Sequence, residues 1–231
     1  MKKWTERHHA YIAAAFYKAA KERSLRNYRE AFIKAVQFAA EQRGRRMALR
    51  ALRDGYSLDY AAYRRYGEWA PTDCWSCEGG YERALEQRNT DTDYGYAITS
   101  CPWADVFIEE GLKEDGGPDY CSDLDPSIVR GFNPKLTYIH RPGLYSGGKC
   151  IQFQKDGMQA QSLPPKNPDD IRDFAYQCGC LYKAFYTVFT SVYGNAGEEA
   201  SKAVLKKIAE KWGDEYSELL LHHLQTDFER I

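Results

Sequence analysis

Apolar positions recur at helical spacing near the start of the chain. Tyr11, Ile12, Ala15, Phe16 and Ala19 fall at i, i+3, i+4 intervals and predict a helix over residues 5–21. A longer helix is predicted from Leu25 to Arg53, with Tyr28, Phe32, Val36, Ala39 and Ala40 as its apolar face. Gly44 interrupts that pattern and marks a close helix crossing or a kink. Ser57 caps a short helix holding Tyr60 and Tyr63. "GEWAPTDCWSCEGG" is a loop by its proline and glycine content and bounds the helical part. Beyond it the period changes. "YERALEQRNTDTDYGYAITSC" predicts two strands around an Asn-Thr-Asp-Thr-Asp turn, although its first half also suits a helix. A short helix with Pro102 in its first turn follows. Asp125-Pro126 predicts the start of another, with Asp125 as N-cap and Cys121 just ahead of it. "LTYIHR" and "KCIQFQ" alternate as the strands of a hairpin, and "LPPKNPDD" reads as a linker. Two last helices are predicted, Ile171 to Tyr193 and Glu198 to about Glu229. The order implies an α+β fold, a small antiparallel sheet with N-terminal and C-terminal helices packed on it. Residues 1–70 form an N-terminal helical region and residues 71–231 an α+β ligand-binding region, together one compact domain.

Composition narrows the function classes. A net charge of −1 on 231 residues gives no field that selects nucleic acid or an anionic membrane. The basic run Arg43, Arg45, Arg46, Arg50 and Arg53 is the local exception, and reads as a solvated helix face. No apolar stretch approaches the roughly 20 residues of a membrane span, and the N-terminal segment lacks the apolar region of a signal peptide. The expectation is a cytoplasmic protein whose partner is a small-molecule substrate, not nucleic acid or membrane; a homodimer is left open. Seven cysteines, an odd number, argue for core residues, metal ligands or nucleophiles over a disulfide framework.

The hairpin concentrates the chemistry. With His140 opposite Cys150, the apolar Ile139, Ile151 and Phe153 go together into the core. Tyr138, His140, Cys150 and Gln152 then line the other face, where imidazole and thiol are close enough to share a metal or form a thiolate–imidazole pair. A helix start at Asp125 would place Cys121 where the helix dipole favours a thiolate. Asn133 turns the chain toward the hairpin. Arg130, Lys135 or Arg141 could clamp a substrate carboxylate, but read first as surface charges.

Taken in order, "CPW", "YCSDLDPSIVRGFNPKL" and "GGKCIQF" resemble the L-2-amino-thiazoline-4-carboxylate hydrolase family, as does "EQRGRRMALRAL". The resemblance spans about Tyr94 to Gln154, more weakly on either side. It implies ring opening of a cyclic amidine by water, a hydrolase acting on carbon–nitrogen bonds other than peptide bonds. Cys101, Cys121, Asp125 and Cys150 match the family pattern; His140 rests on strand geometry alone. Two mechanisms stay open. Cys121 and Cys150, with Asp125 or His140, hold Zn²⁺ and activate water, or Cys121 or Cys101 attacks as a thiolate. Tyr138, Asn133, Arg141 and Gln152 are candidates for substrate contact. Zinc is therefore the one cofactor in view, and otherwise none. The chain is also similar, more distantly, to vinyl-reductase-type binding domains, which implies a ligand carrier with a structural zinc and no turnover. A third reading is an interaction protein that dimerises through its helical ends.

Rival motifs read more plainly. Cys74-x-x-Cys77 with Cys178 and Cys180 could make a structural zinc site, though packing suits the latter pair better. His8-His9 and His222-His223 read as surface or core-edge residues, even with His223 and Asp227 at i, i+4.

Overall fold

The computed structural model describes residues 3–75, 85–87, 94–155 and 164–231. Among them the elements are α1 (Glu6–Glu22), α2 (Tyr28–Arg53), α3 (Tyr60–Arg65), β1 (Leu85–Gln87), β2 (Tyr94–Ile98), α4 (Pro102–Glu109), α5 (Gly116–Phe132), β3 (Tyr138–Arg141), β4 (Cys150–Gln154), α6 (Phe174–Tyr193), α7 (Asn195–Trp212) and α8 (Asp214–His223). The architecture is α+β: a mostly helical body carrying one antiparallel sheet of order β1-β2-β4-β3. The Asn-Thr-Asp-Thr-Asp turn expected between the first two strands lies outside the described residues, as does Cys77.

α1 is buried on nearly every side, because alanines at 10, 13, 14, 15, 19 and 20 let several helices approach it. It packs against α4, α6 and α7, and Phe16 meets Phe185 and Phe189 at ring distances of 5.1 and 5.2 Å. α2 runs unbroken through Gly44, which marks a crossing and not a kink. A Cβ on Gly44 would lie 2.1 Å from the Ile128 carbonyl oxygen, and one on Gly131 2.3 Å from that of Glu41. The two glycines thus let the backbones of α2 and α5 touch. Neither obstacle is a side chain that can swing away. Gly44→Ala will therefore lose stability by about 1–3 kcal/mol, although alanine is the better helix former by about 1 kcal/mol. A lower urea midpoint with an unchanged slope checks this; a raised midpoint would show that the helices can separate at no cost.

Three expectations need correction. α5 begins at Gly116, not at Asp125, so Cys121 and Asp125 lie inside one helix at i, i+4 and share a face. Asp115 accepts from the Gly116 amide, and Pro118 occupies the first turn, where a missing N–H costs nothing. Pro126 is then an interior proline and leaves the Ser122 carbonyl without its helical donor. The last predicted helix is two, since Gly213 at φ +113° separates α7 from α8. The basic run on α2 is only in part a solvated face: Arg53 is exposed and Arg45 half-buried, but Arg46 and Arg50 are fully buried. Both guanidinium groups meet the carboxylate of Glu68, itself fully buried, at 2.7 and 2.6 Å. No helix among the described residues is long and apolar enough to cross a membrane.

Candidate functional site

β3 and β4 form the expected hairpin, two residues out of the expected register. His140 faces Gln152, and Cys150 lies one step past the end of the ladder, paired instead with Ile98 of β2. A slip of two keeps every side chain on its face. Tyr138, His140, Cys150 and Gln152 do share a face, but it is the inner one: Cys150, Gln152 and Gln154 are buried. Ile139, Ile151 and Phe153, expected in the core, are only half-buried. The polar face turns inward because α5 lies beneath it and offers partners.

Those partners are Cys121 and Asp125. The ligand atoms of Cys121, His140 and Cys150 all lie within 4.8 Å of one another. His140 Nε2 sits 3.1 Å from Cys150 Sγ and 3.9 Å from Asp125 Oδ2. Gln152 holds the arrangement. Its Oε1 accepts from the hydroxyls of Tyr96 and Tyr138, so its Nε2 must face Asp125, to which it donates at 2.8 Å. Gln152 is thereby occupied, and serves to position Asp125. The His140 ring is 2 % exposed.

The cluster favours one negative sulfur. A hydrogen bond from the Cys121 thiol brings Cys150 down to about 6, against the opposing effect of burial and with help from the His140 hydrogen bond and charge. Cys121 moves well above the ordinary thiol range, because it donates that bond and is buried. Burial works against a charged His140, yet the Cys150 hydrogen bond, the Asp125 charge and the Ser122 carbonyl released by Pro126 raise it overall. These shifts favour a Cys150 thiolate held between the Cys121 thiol and the His140 ring. The helix-dipole reason for a reactive Cys121 does not apply, since Cys121 is in mid-helix. Cys101 does stand at a helix start and gains from the Trp103 and Ala104 amides, but burial pushes its thiol up to about 12.

Cys121, Asp125, Cys101, Tyr120, Tyr138 and Gln152 line a cavity of about 190 Å³; His140 and Cys150 stand behind this lining. Trp69, Trp75 and Trp103 give it aromatic surface, Arg43 and Arg64 give it positive charge, and Lys166 joins them with an amine that burial and the two arginine charges bring down to about 7. None of these six was singled out as a site residue from the sequence. Of the candidates for substrate contact, Asn133 and Arg141 do not reach the cavity. Asn133 ties α5 to the Leu58 carbonyl at 2.7 Å, and Arg141 is exposed at the end of β3. Arg130 pairs with Glu41 at 2.7 Å, and Lys135 is exposed.

The other motifs resolve differently. The Cys74 thiol donates to Glu6 at 2.9 Å, while Cys178 and Cys180 are buried; among the described residues none joins a metal-binding cluster. His8 is buried at the start of α1 and stacks on Tyr216. His9 stands behind the cavity wall, its Nδ1 accepting from Trp103 Nε1 at 3.0 Å and lying 3.2 Å from the Tyr120 hydroxyl. Burial, and secondarily the Arg43 charge, hold His9 down at about 3, so it stays neutral. Of the surface and core-edge readings, His8-His9 takes the core-edge one. His223 keeps to the core edge, with Nδ1 3.0 Å from the Thr226 hydroxyl.

A model of the L-2-amino-thiazoline-4-carboxylic acid hydrolase family matches residues 4–154, more than half of the chain. The match takes in the whole thiol cluster and Arg43, and stops short of Lys166. No curated protein and no solved structure matches the chain.

Proposed function

Because the chain belongs to the L-2-amino-thiazoline-4-carboxylic acid hydrolase family, we propose that it opens a small cyclic amidine with water, breaking a ring carbon–nitrogen bond. The observation that carries this is the thiolate–thiol–imidazole cluster whose one sulfur, Cys121, borders a ligand-sized cavity. Cys121 adds to the amidine carbon as its proton passes along the existing hydrogen bond to Cys150. Asp125, 3.9 Å from His140 and on the cavity lining, relays a proton from His140 to the departing ring nitrogen. Asp125 then takes a proton from the water that attacks the same carbon and passes it to His140, which restores both groups. Cys121 leaves and recovers its proton from Cys150. Tyr120 and Tyr138 stay neutral, because burial raises both well above the ordinary phenol range, and so shape the cavity without adding charge.

The test is direct. The purified protein, given L-2-amino-thiazoline-4-carboxylic acid, will convert it to a ring-opened product heavier by one water, read by mass spectrometry. An unchanged substrate at enzyme concentrations equal to its own would end the hydrolase reading.

A second reading rests on the same three donors. Two sulfurs and one imidazole nitrogen suit zinc, with Cys121, His140 and Cys150 as its ligands and Asp125 as the nearest carboxylate. Such an ion supplies a Lewis acid that ionises water near neutral pH, or simply ties α5 to the sheet in a binding module. Elemental analysis separates the readings: stoichiometric zinc, lost on removing either cysteine, would replace the thiolate mechanism. The cavity beside Cys121 counts against a purely structural dimerisation role.

A further inference from the structure

α2 carries three arginines on its inward side, and the chain treats them unequally. Arg46 and Arg50 share the Glu68 carboxylate, and Arg50 also reaches Asp170 at 3.5 Å. Arg43, one turn earlier, makes no hydrogen bond or ion pair among the described residues, and its Nε is buried without a partner. It lines the cavity together with Met47, which follows it at i+4. Arg64 and Lys166 line the same cavity, where Lys166 donates to the Trp69 carbonyl and lies 5.1 Å from the centre of that indole ring. Beside Arg43 the lining offers one carboxylate, Asp125, already engaged by Gln152, and the Lys166 amine, which burial and the Arg43 and Arg64 charges bring down to about 7. Tyr63, on the same lining, feels the charges of Asp125, Arg43 and Arg64.

A buried cation without a counter-ion is costly unless something supplies one. Arg46 and Arg50 hydrogen-bond or pair with carboxylates, whereas Arg43 has only the more distant charge of Glu68 and makes no such pair among the described residues. A ligand carboxylate supplies the missing pair, since a guanidinium binds a carboxylate through two parallel charge-assisted hydrogen bonds. We propose that Arg43, supported by Arg64 and Lys166, is the residue that recognises the carboxylate of a small ring substrate and thereby turns its amidine carbon toward Cys121. The inference rests on the hydrolase reading for the word substrate, but the anion site itself does not need turnover. The ligand class is a compact, planar monocarboxylate, because the volume is below the roughly 300–1,000 Å³ of drug-sized sites and three tryptophans line it.

Tryptophan fluorescence reports occupancy without chemistry. Thiazole-4-carboxylate and its neutral carboxamide would be titrated against the wild type, Arg43→Gln and Arg43→Lys. The wild type will prefer the carboxylate by about tenfold or more. Arg43→Gln will lose that preference, and Arg43→Lys will keep part of it. In turnover, Arg43→Gln will raise KM much more than it lowers kcat. Arg43 has no internal partner to lose, and circular dichroism of each variant checks that it folds; the lysine variant carries the test if the glutamine variant does not. Equal binding of the two ligands, binding of neither, or a preference that survives in Arg43→Gln would overturn the proposal. Carboxylate selection through Arg43 without ring opening would end the hydrolase reading and keep this one. Ring opening with KM unchanged in Arg43→Gln would do the reverse.

Discussion

Glutamine in place of Glu68 will destabilise the fold by about 3–5 kcal/mol, a large share of the roughly 5–15 kcal/mol that holds a domain together. Glu68 receives Arg46 through two bonds, Nε to Oε1 at 3.0 Å and Nη2 to Oε2 at 2.7 Å, and Arg50 through a third at 2.6 Å. All three side chains are at most 1 % exposed. Glutamine keeps the shape, removes the charge, and turns an amide donor toward a guanidinium. Two cations are then left in a low dielectric with no counter-charge beyond Asp170. The damage will not stay local. Arg46 also binds the Phe228 carbonyl at 3.0 Å, and the Glu68 backbone carbonyl accepts from Arg172 and Gln177. The cluster thus joins α2, the stretch leading to Trp69, the segment after Lys166, α6 and the C-terminal residues, and it holds two parts of the cavity wall in place. Chemical denaturation measures the loss. A difference under about 1 kcal/mol would mean that water reaches the arginines and that the pair behaves as a surface one.

The pH dependence follows from the same carboxylate. Burial alone would raise its pKa, but the Arg46 hydrogen bond and the surrounding arginine charges bring it below the ordinary 4.5. The unfolded chain therefore takes up this proton first as pH falls. Stability from ionised Glu68 is complete above 4.5 and is lost as pH drops through the folded value. The gap between wild type and Glu68→Gln will accordingly narrow in acid.

Much of this was legible, and the reasons differ by element. Which hairpin residues share a face survived an error in register, because the strand period is two and the error was two. Which face turns inward was misread, because the polar partners on α5 were not visible locally. Gly44 was readable because an interior helical glycine needs a reason, and the backbone of α5 is that reason. The helix start at Asp125-Pro126 was misread because an aspartate before a proline looks alike at a first turn and in a helix interior. What separated the two was the earlier Asp115-Gly-Gly-Pro118, whose proline sits where the first turn tolerates it. The arginines carried a signal that the charge count hid. Arg43, Arg46 and Arg50 continue the spacing of Phe32, Val36 and Ala39, so the core stripe of α2 runs straight into them. Only the partner was missing from the local sequence, since Glu68 sits beyond a turn and a further helix. Lys166 and His9 gave no comparable sign: each is placed by contacts with residues far away in the chain.

Serine at position 150 and serine at position 121 will both abolish ring opening, by a factor on the order of 10³, for separable reasons. In the wild type, thiolate ultraviolet absorbance will show a step near pH 6, because Cys150 is brought from 9.0 to about 6 by Cys121 and His140. Cys150→Ser removes that step. Burial pushes up the sulfurs of Cys101, Cys178 and Cys180, and Cys121, raised first by its bond to Cys150, is buried as well, so none of them replaces it. Turnover falls because no thiolate remains to accept the Cys121 proton. Cys121→Ser keeps a hydroxyl that can still donate to Cys150, so the step stays on the acid side of an ordinary thiol while the sulfur facing the cavity is gone. Activity therefore vanishes in one variant with the thiolate and in the other without it. A step near 6 persisting in Cys150→Ser would assign the charge to the wrong sulfur. Turnover within about tenfold of wild type in Cys121→Ser would remove that residue from the reaction and leave it as a hydrogen-bond donor only.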